Sequence, residues 1–349
     1  MKTFSMLVVA TVMLALAPPA VDAQVYPERI AAAAKAHFIE AYQRRNRDDS
    51  REEQTERTTK TLRLGPSGSL ALGNIAGDIT VSRGGGSDTT VEIVKTARGR
   101  DTADAKDQLQ LVQVEVTEVS GRGEVKTHYP NGDGWGRGHR NINVSVAYNV
   151  TTPAGTRLSI ESISGSVKVA DVKGDIGANT VSGDVRISGA GRVGTAKSIS
   201  GTVEINDAQI DGSLEAASIS GDVILRRIRA RRLGGGTVSG SIRFEEVQCD
   251  QVSAHSTSGD VFFSGPLARN GRYELKTFSG EVRLALAGNT GFEIDANSFS
   301  GDVRSEFPLT TRGNASPRGR RTHVTGTYGD GSAVLNITTF SGSVVIAKK

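Results

Sequence analysis

Thr180-Val181-Ser182-Gly183-Asp184-Val185-Arg186-Ile187 is one instance of a phrase that the chain repeats nine times. The Ser-Gly pairs begin at Ser164, Ser182, Ser200, Ser220, Ser239, Ser258, Ser279, Ser300 and Ser341. Their intervals are 18, 18, 20, 19, 19, 21, 21 and 41 residues, the last close to two periods. Self-similarity at a fixed period marks one structural unit stacked on itself.

Aligned on Gly165, Gly183, Gly201, Gly221, Gly240, Gly259, Gly280, Gly301 and Gly342, the columns are regular. Two residues before each Ser stands another Ser or Thr, from Ser162 to Thr339. Between them the residue is apolar in every unit except that of Thr257. The glycine is followed by Asp, Ser, Thr or Glu, and then always by Val or Ile. Apolar residues two apart share one face of a strand, and β-branched residues favour that conformation. The Ser-Gly step reads as a corner, where glycine is free to take positive φ. A period near 20 residues fits one coil of a parallel β-solenoid, with equivalent positions ~4.8 Å apart. A propeller blade needs about 40 residues. Stacking is expected to bury the Val, Ile and Phe columns and to line up the hydroxyls as hydrogen-bonded ladders. Along the sequence the residue after glycine alternates neutral and acidic until Asp260, Glu281 and Asp302, which fall in succession. Carboxylates at strand spacing repel one another, so this end invites a cation or a base.

Length and composition agree. The 349 residues include 42 glycines and only 5% aromatics, which suits many corners and a thin aliphatic core. Lys2, an apolar run over residues 6–17 and the small residues Val21 and Ala23 form a signal-peptide pattern, with cleavage expected after Ala23. The mature chain then has no membrane-spanning stretch and keeps the formal charge of +4, because Lys2 and Asp22 leave together. Cys249 is the single cysteine, so no internal disulfide forms and stacking must hold the fold. An exported, periplasmic or cell-surface location follows from the signal.

Residues 24–60 read as a polar, partly helical or disordered lead-in, dense in charge over 43–60. Residues 61–155 read as an irregular β-rich part of the solenoid, and residues 156–349 as its regular part. Gly77-Asp78-Ile79-Thr80-Val81 is a degenerate copy of the motif with Ala76 in place of Ser, so stacking is expected to begin well before Ser164. Residues 101–109 suit a short helix that caps one end. Residues 308–321 form a polar, Arg-rich excursion.

Catalytic patterns are scarce. No serine lies in G-x-S-x-G, the five histidines have no metal-ligand spacing, and no phosphate-binding glycine loop is present. No cofactor or metal is implied, and the recurring aspartates read as corner residues. The most polarised segment is residues 226–232, where Arg226, Arg227, Arg229, Arg231 and Arg232 form a patch suited to an acidic polymer such as an anionic polysaccharide. Lys168, Arg186, Arg243, Arg283 and Arg304 form an outward column that extends it as a basic stripe. Nucleic acid is disfavoured because interleaved aromatics for base stacking are missing. Trp135 and His139, in a Gly-rich loop, are a further candidate ligand site.

The repeated S-G-D-[VI]-x-[VIL] signature, with Gly73-Asn74-Ile75-Ala76-Gly77-Asp78-Ile79 ahead of it, resembles the bacterial "putative adhesin" family, an exported β-strand-repeat domain of unknown function. The resemblance covers about residues 61–349. It implies a right-handed parallel β-solenoid and supplies no catalytic residues. The expected function is a non-enzymatic, adhesin-like or scaffolding surface at the cell envelope, with an envelope or cell-surface partner. The alternatives are a polyanion-binding module at the arginine patch and, behind it, a polysaccharide-active β-helix enzyme.

Overall fold

A computed structural model describes residues 51–130, 142–310 and 322–349. Residues 53–349 form one compact unit. The signal-peptide pattern, most of the lead-in, Trp135, His139 and most of the Arg-rich excursion lie outside the described residues.

Each coil contributes one strand to each of two sheets. After the Ser-Gly corner a short strand enters the first sheet, as at Val203–Asn206. A second corner follows, and a strand such as Ser213–Ser218 enters the second sheet. Among the described residues thirteen strands stack in each sheet, and through the repeat they run parallel and in register. Alternation sends one side chain in two inward. In the coil of Val203 the buried apolar residues are Val203, Ile205, Ala208, Ile210, Leu214 and Ala216. Where a coil carries a bulky ring, the opposite strand yields. Phe244 faces Gly235, and a Cβ on Gly235 would lie 2.5 Å from the Phe244 ring. The core therefore keeps its packing density with different side chains in each layer.

The corner explains the motif. A Cβ on Gly201, Gly221, Gly240 or Gly259 would fall 2.0–2.3 Å from the carbonyl oxygen of the glycine one coil earlier. Gly165, Gly183, Gly240, Gly259, Gly280 and Gly342 also have positive φ, from 140° at Gly165 to 155° at Gly240. The glycine carbonyl is satisfied from the side, not by the ladder. Ser198 donates to Gly183, Ser218 to Gly201 and Thr237 to Gly221, each at 2.9 Å. The hydroxyl column thus bonds backbone across coils and does not form hydroxyl-to-hydroxyl ladders. In the same way Asp78, Asp184, Asp222 and Asp260 each accept the backbone N–H of the post-glycine residue in the next coil, at 2.8–2.9 Å. Ser or Thr thus supplies a donor to the glycine carbonyl at most corners, and Asp supplies an acceptor to the following N–H in alternate layers.

The spatial order of coils departs from the sequence at both ends. Ser69–Ala76 lies between Arg122–His128 and Arg157–Ser164, parallel to both. The degenerate Gly77 copy therefore stacks as a true coil, with Ala76 opposite Ser164. At the other end Ala333–Ser341 lies between Arg272–Ser279 and Phe292–Ser300. The 41-residue interval is not two periods. The last coil is wedged between the two that precede it in sequence. This insertion places Ser343 between Glu281 and Asp302, so the expected run of three acids is broken. Only Asp260 and Glu281 are neighbours, and Glu281 turns to Arg283 at 2.7 Å.

The outermost strands reverse direction. Thr89–Gly99 pairs antiparallel with Val144–Thr152, Gln113–Val119 with Arg122–His128, and His323–Tyr328 with Phe292–Ser300. A helix spans Thr102–Leu111, with Ala105 and Leu109 buried and Asp101 as N-cap. The lead-in boundary needs correction. Glu52–Leu62 is a strand at the edge of the first sheet, not flexible or helical chain. Its charged side chains pair with the next strand, as Arg57 does with Glu92 and Glu53 with Arg98, and a charged edge resists pairing with other chains.

Gly221→Ala should lower unfolding free energy by about 3 kcal/mol, because the new methyl must displace the Gly201 backbone. Gly194→Ala, with nothing within 4 Å, should change it by less than about 0.5 kcal/mol. Urea unfolding of the two variants side by side would check this contrast.

Candidate functional site

The apolar residue ahead of each Ser-Gly pair is not in the core. Leu158, Ile160 and Ser162 point inward on Arg157–Ser164, so Ile163 points out. The same holds for Val181, Ile199, Ile219, Val238, Phe278, Phe340 and Phe299, whose exposure runs from 44% at Val181 to 73% at Phe299. These side chains form a ridge along the Ser-Gly corner, interrupted at Thr257. From Ile75 to Phe299 it crosses ten coils, or ~43 Å. At the far end the inserted coil completes an aromatic stack. Phe340 lies between Phe278 and Phe299 with both ring centroids at 4.7 Å and interplanar angles of 2° and 5°. At the near end the ridge borders a groove of about 670 Å³, with Ile75, Ile163, Val181, Ile199 and Ile219 along it and Lys126, Glu161 and Lys197 beside it. A contiguous exposed apolar ridge of this length is the candidate contact surface of the described residues.

The burial expected for this column is therefore corrected. The signal was present in the sequence, since the hydroxyl before it and the apolar residues two and four further back share the opposite phase of the strand.

The arginine patch of residues 226–232 does not form one basic face. Arg226 lies on the first sheet between Glu204 and Glu245, at 2.7 and 2.8 Å. Arg227 occupies the second corner with φ 53° and grips Asp207, donating from Nε to Oδ1 and from Nη2 to Oδ2. That hydrogen-bonded pair holds the Asp207 carboxyl below its usual range and the guanidinium above its own. Arg231 faces Asp211 at 3.5 Å. Arg229 donates to Gln248, and Arg232 stands on the second sheet. The stripe extending the patch is likewise divided. Arg186 pairs with Asp184 and Glu204, Arg283 with Glu281 and Arg304 with Asp302. Glu204, Ile224, Phe262 and Val345 occupy intervening positions of the same column.

Titratable side chains are dispersed. His128 meets Glu115, His323 meets Asp295, and His255 meets Ser253 at 2.7 Å. The Ser253–His255 pair sits exposed on a strand whose backbone N–H groups are committed to the sheet, and the nearby Glu274 is held by Lys276. Among the described residues, no group of three or more His, Cys, Asp or Glu side chains could hold a metal ion. No helix among them is long and apolar enough to cross a membrane. Cys249 is buried, and burial first, then the charge of Asp250, pushes its thiol up to about 12.

Two measurements follow from this geometry. Ile199→Ser on the ridge should cost about 1 kcal/mol, against about 2–5 kcal/mol for Ile205→Ala in the core, as read by chemical denaturation. Cys249 should resist a thiol reagent at pH 8 in the native protein and react at once in denaturant, because only the thiolate is nucleophilic.

No curated protein matches the chain. Among solved structures, a "putative adhesin" from Bacteroides fragilis is similar at 13% identity, over 84% of this chain and 97% of that one, with a TM-score of 0.40. A second "putative adhesin", from Parabacteroides distasonis, is similar at 12% identity over 83% and 97%, with a TM-score of 0.38. A "putative lipid binding protein" from the same organism is similar at 16% identity over 84% and 97%, with a TM-score of 0.32. The family model described as Toastrack DUF4097 matches residues 70–347, and over that span it takes in nearly every coil of both sheets. The chain belongs to the Toastrack DUF4097 family.

Proposed function

We propose that this protein is a non-enzymatic, exported, adhesin-like repeat protein whose apolar corner ridge is its contact surface at the cell envelope. The observation that carries this is the ridge itself. Aliphatic and aromatic side chains are held at about half exposure over coil after coil, although the fold does not need them there. A partner that covers the ridge removes that surface from water, and each large side chain so covered contributes about 1 kcal/mol or more. The regular spacing lets many weak contacts act together, which suits adhesion better than capture of one small molecule. The export signal expected over residues 1–23 and the family resemblance support the envelope location.

The polyanion-binding alternative at residues 226–232 has less support, because three of its five arginines already face carboxylates. The enzyme alternative needs carboxylates and a base converging in a groove. The carboxylates that border the grooves of the second sheet are spread over separate grooves, Glu161 in one, Glu124 and Asp175 in another and Glu274 in a third, with Asp175 facing Arg192 and Glu274 tied to Lys276.

Beads coated with the protein should bind envelope fragments of the bacterium that encodes it. A variant combining Ile163→Ser, Ile199→Ser, Phe278→Ser and Phe340→Ser should lose most of that binding while its circular dichroism and thermal midpoint stay close to the wild type. Equal binding by a folded variant would remove the ridge from the function. Turnover of a glycan or ester that a single point mutation abolishes would overturn the non-enzymatic assignment.

A further inference from the structure

On the second sheet, six residues before the ridge along each strand and thus ~20 Å from it, an arginine recurs on every second coil. The register puts Ser69 between Arg122 and Arg157, Asp175 opposite Arg192, Ser213 opposite Arg232, and Gln251 between Arg232 and Arg272. In stack order the column reads Arg122, Ser69, Arg157, Asp175, Arg192, Ser213, Arg232, Gln251, Arg272. All nine side chains are exposed or half-exposed. The sequence conceals this order, because the coil of Ser69 is inserted between those of Arg122 and Arg157, and a bulge at Ile176/Gly177 shifts the spacing by one residue. Two coils separate successive arginines, which is ~9.5 Å.

Unlike most cations of the repeat, these are largely free. Among the described residues Arg192 meets Asp175 at 3.6 Å, and no carboxylate lies within ion-pair distance of Arg122, Arg157, Arg232 or Arg272. The adjoining column carries three carboxylates: Glu215 and Glu274 turn away to Lys197 and Lys276, and Glu124, opposite Ala71, borders the groove only at its outer coil. That adjoining column is small at Ala71, Ser159, Gly177 and Gly234. It leaves shallow grooves of about 670 Å³ beside Arg122 and Arg157 and about 500 Å³ beside Arg232 and Arg272.

We infer that this column binds an extended acidic polysaccharide carrying one carboxylate per disaccharide, laid along the stack with its charges on successive arginines. Such a polymer presents its charges at the same order of spacing. Its hydroxyls match the Ser, Asp and Gln side chains that stand between the arginines. The small-residue floor admits sugar rings, and guanidinium groups bind carboxylates with a fixed fork geometry. A single nucleic-acid strand fits less well. Its phosphates are closer together than the arginines, and the grooves offer no exposed aromatic ring for its bases. Of these arginines only Arg232 belongs to the patch at residues 226–232, and none belongs to the ridge, so this site stands or falls separately from the proposed adhesive surface.

The test uses the full mature chain and surfaces carrying hyaluronan, neutral dextran or single-stranded DNA at low ionic strength. The wild type should bind hyaluronan in a salt-sensitive manner, should ignore dextran, and should bind DNA more weakly at equal charge density. Arg157→Ser, Arg192→Ser, Arg232→Ser and Arg272→Ser should weaken binding about fivefold for each arginine removed. A control with Arg227→Ser and Arg231→Ser should bind hyaluronan as tightly as a wild type of equal fold stability. Absence of hyaluronan binding by the wild type would overturn the inference. So would equal loss in the column and control variants, which would indicate general charge attraction, or tighter binding to DNA than to hyaluronan.

Discussion

The fold rests on a backbone contact that excludes every side chain but hydrogen. At the Ser-Gly corner the glycine carbonyl of one coil occupies the space where the next coil would carry its Cβ. The strands can keep their ~4.8 Å spacing through the corner only because that atom is missing. Given that contact, the rest of the motif is an accounting of hydrogen bonds. The carbonyl needs a donor, and the inward hydroxyl of the next coil supplies it. The following N–H needs an acceptor, and a carboxylate of the coil before supplies it in alternate layers. Alternation avoids stacking two carboxylates at strand distance and still serves the corners.

This logic makes much of the architecture legible in the sequence. Period, corner and inward columns follow from nine aligned phrases, and the Gly77 copy falls where its motif places it. Spatial order at the ends does not follow. The 41-residue interval could hold two coils, and nothing local in Ser341-Gly342-Ser343 says that its coil enters between two earlier ones. The decision belongs to long-range pairing, which brings the neutral Ser343 between Glu281 and Asp302 and Phe340 between two other phenylalanines. Both neighbours of the inserted coil favour it, each by ring stacking on Phe340 and together by the separation of their carboxylates. The strand at Glu52–Leu62 was hidden for another reason. As an edge strand with little buried surface it needs no apolar alternation, so its charged composition reads as loop.

The surface was harder to read than the core, because the significance of an exposed residue depends on its neighbours one coil away. Five arginines close together in sequence look like a strong basic patch. Wound around a corner, they divide between two sheets, and Glu204, Glu245, Asp207 and Asp211 neutralise three of them. Five arginines scattered from Arg122 to Arg272 look unrelated in sequence, yet the register aligns them. Sequence proximity overstates charge density in a solenoid, whereas periodic placement creates it.

The same geometry separates two kinds of surface. A corner allows a side chain to project from the end of a strand with solvent on both sides, so the residue there can be apolar and large without crowding the ladder. The outer face of a sheet holds its side chains ~4.8 Å apart, where like charges on adjacent coils repel and opposite charges cancel. A column that is to stay basic on that face must therefore leave alternate positions neutral or weakly opposed, as Ser69, Asp175, Ser213 and Gln251 do. The two-coil interval between arginines is thus what electrostatics permits on a parallel stack, and it fixes the spacing at which the face can meet an opposite charge.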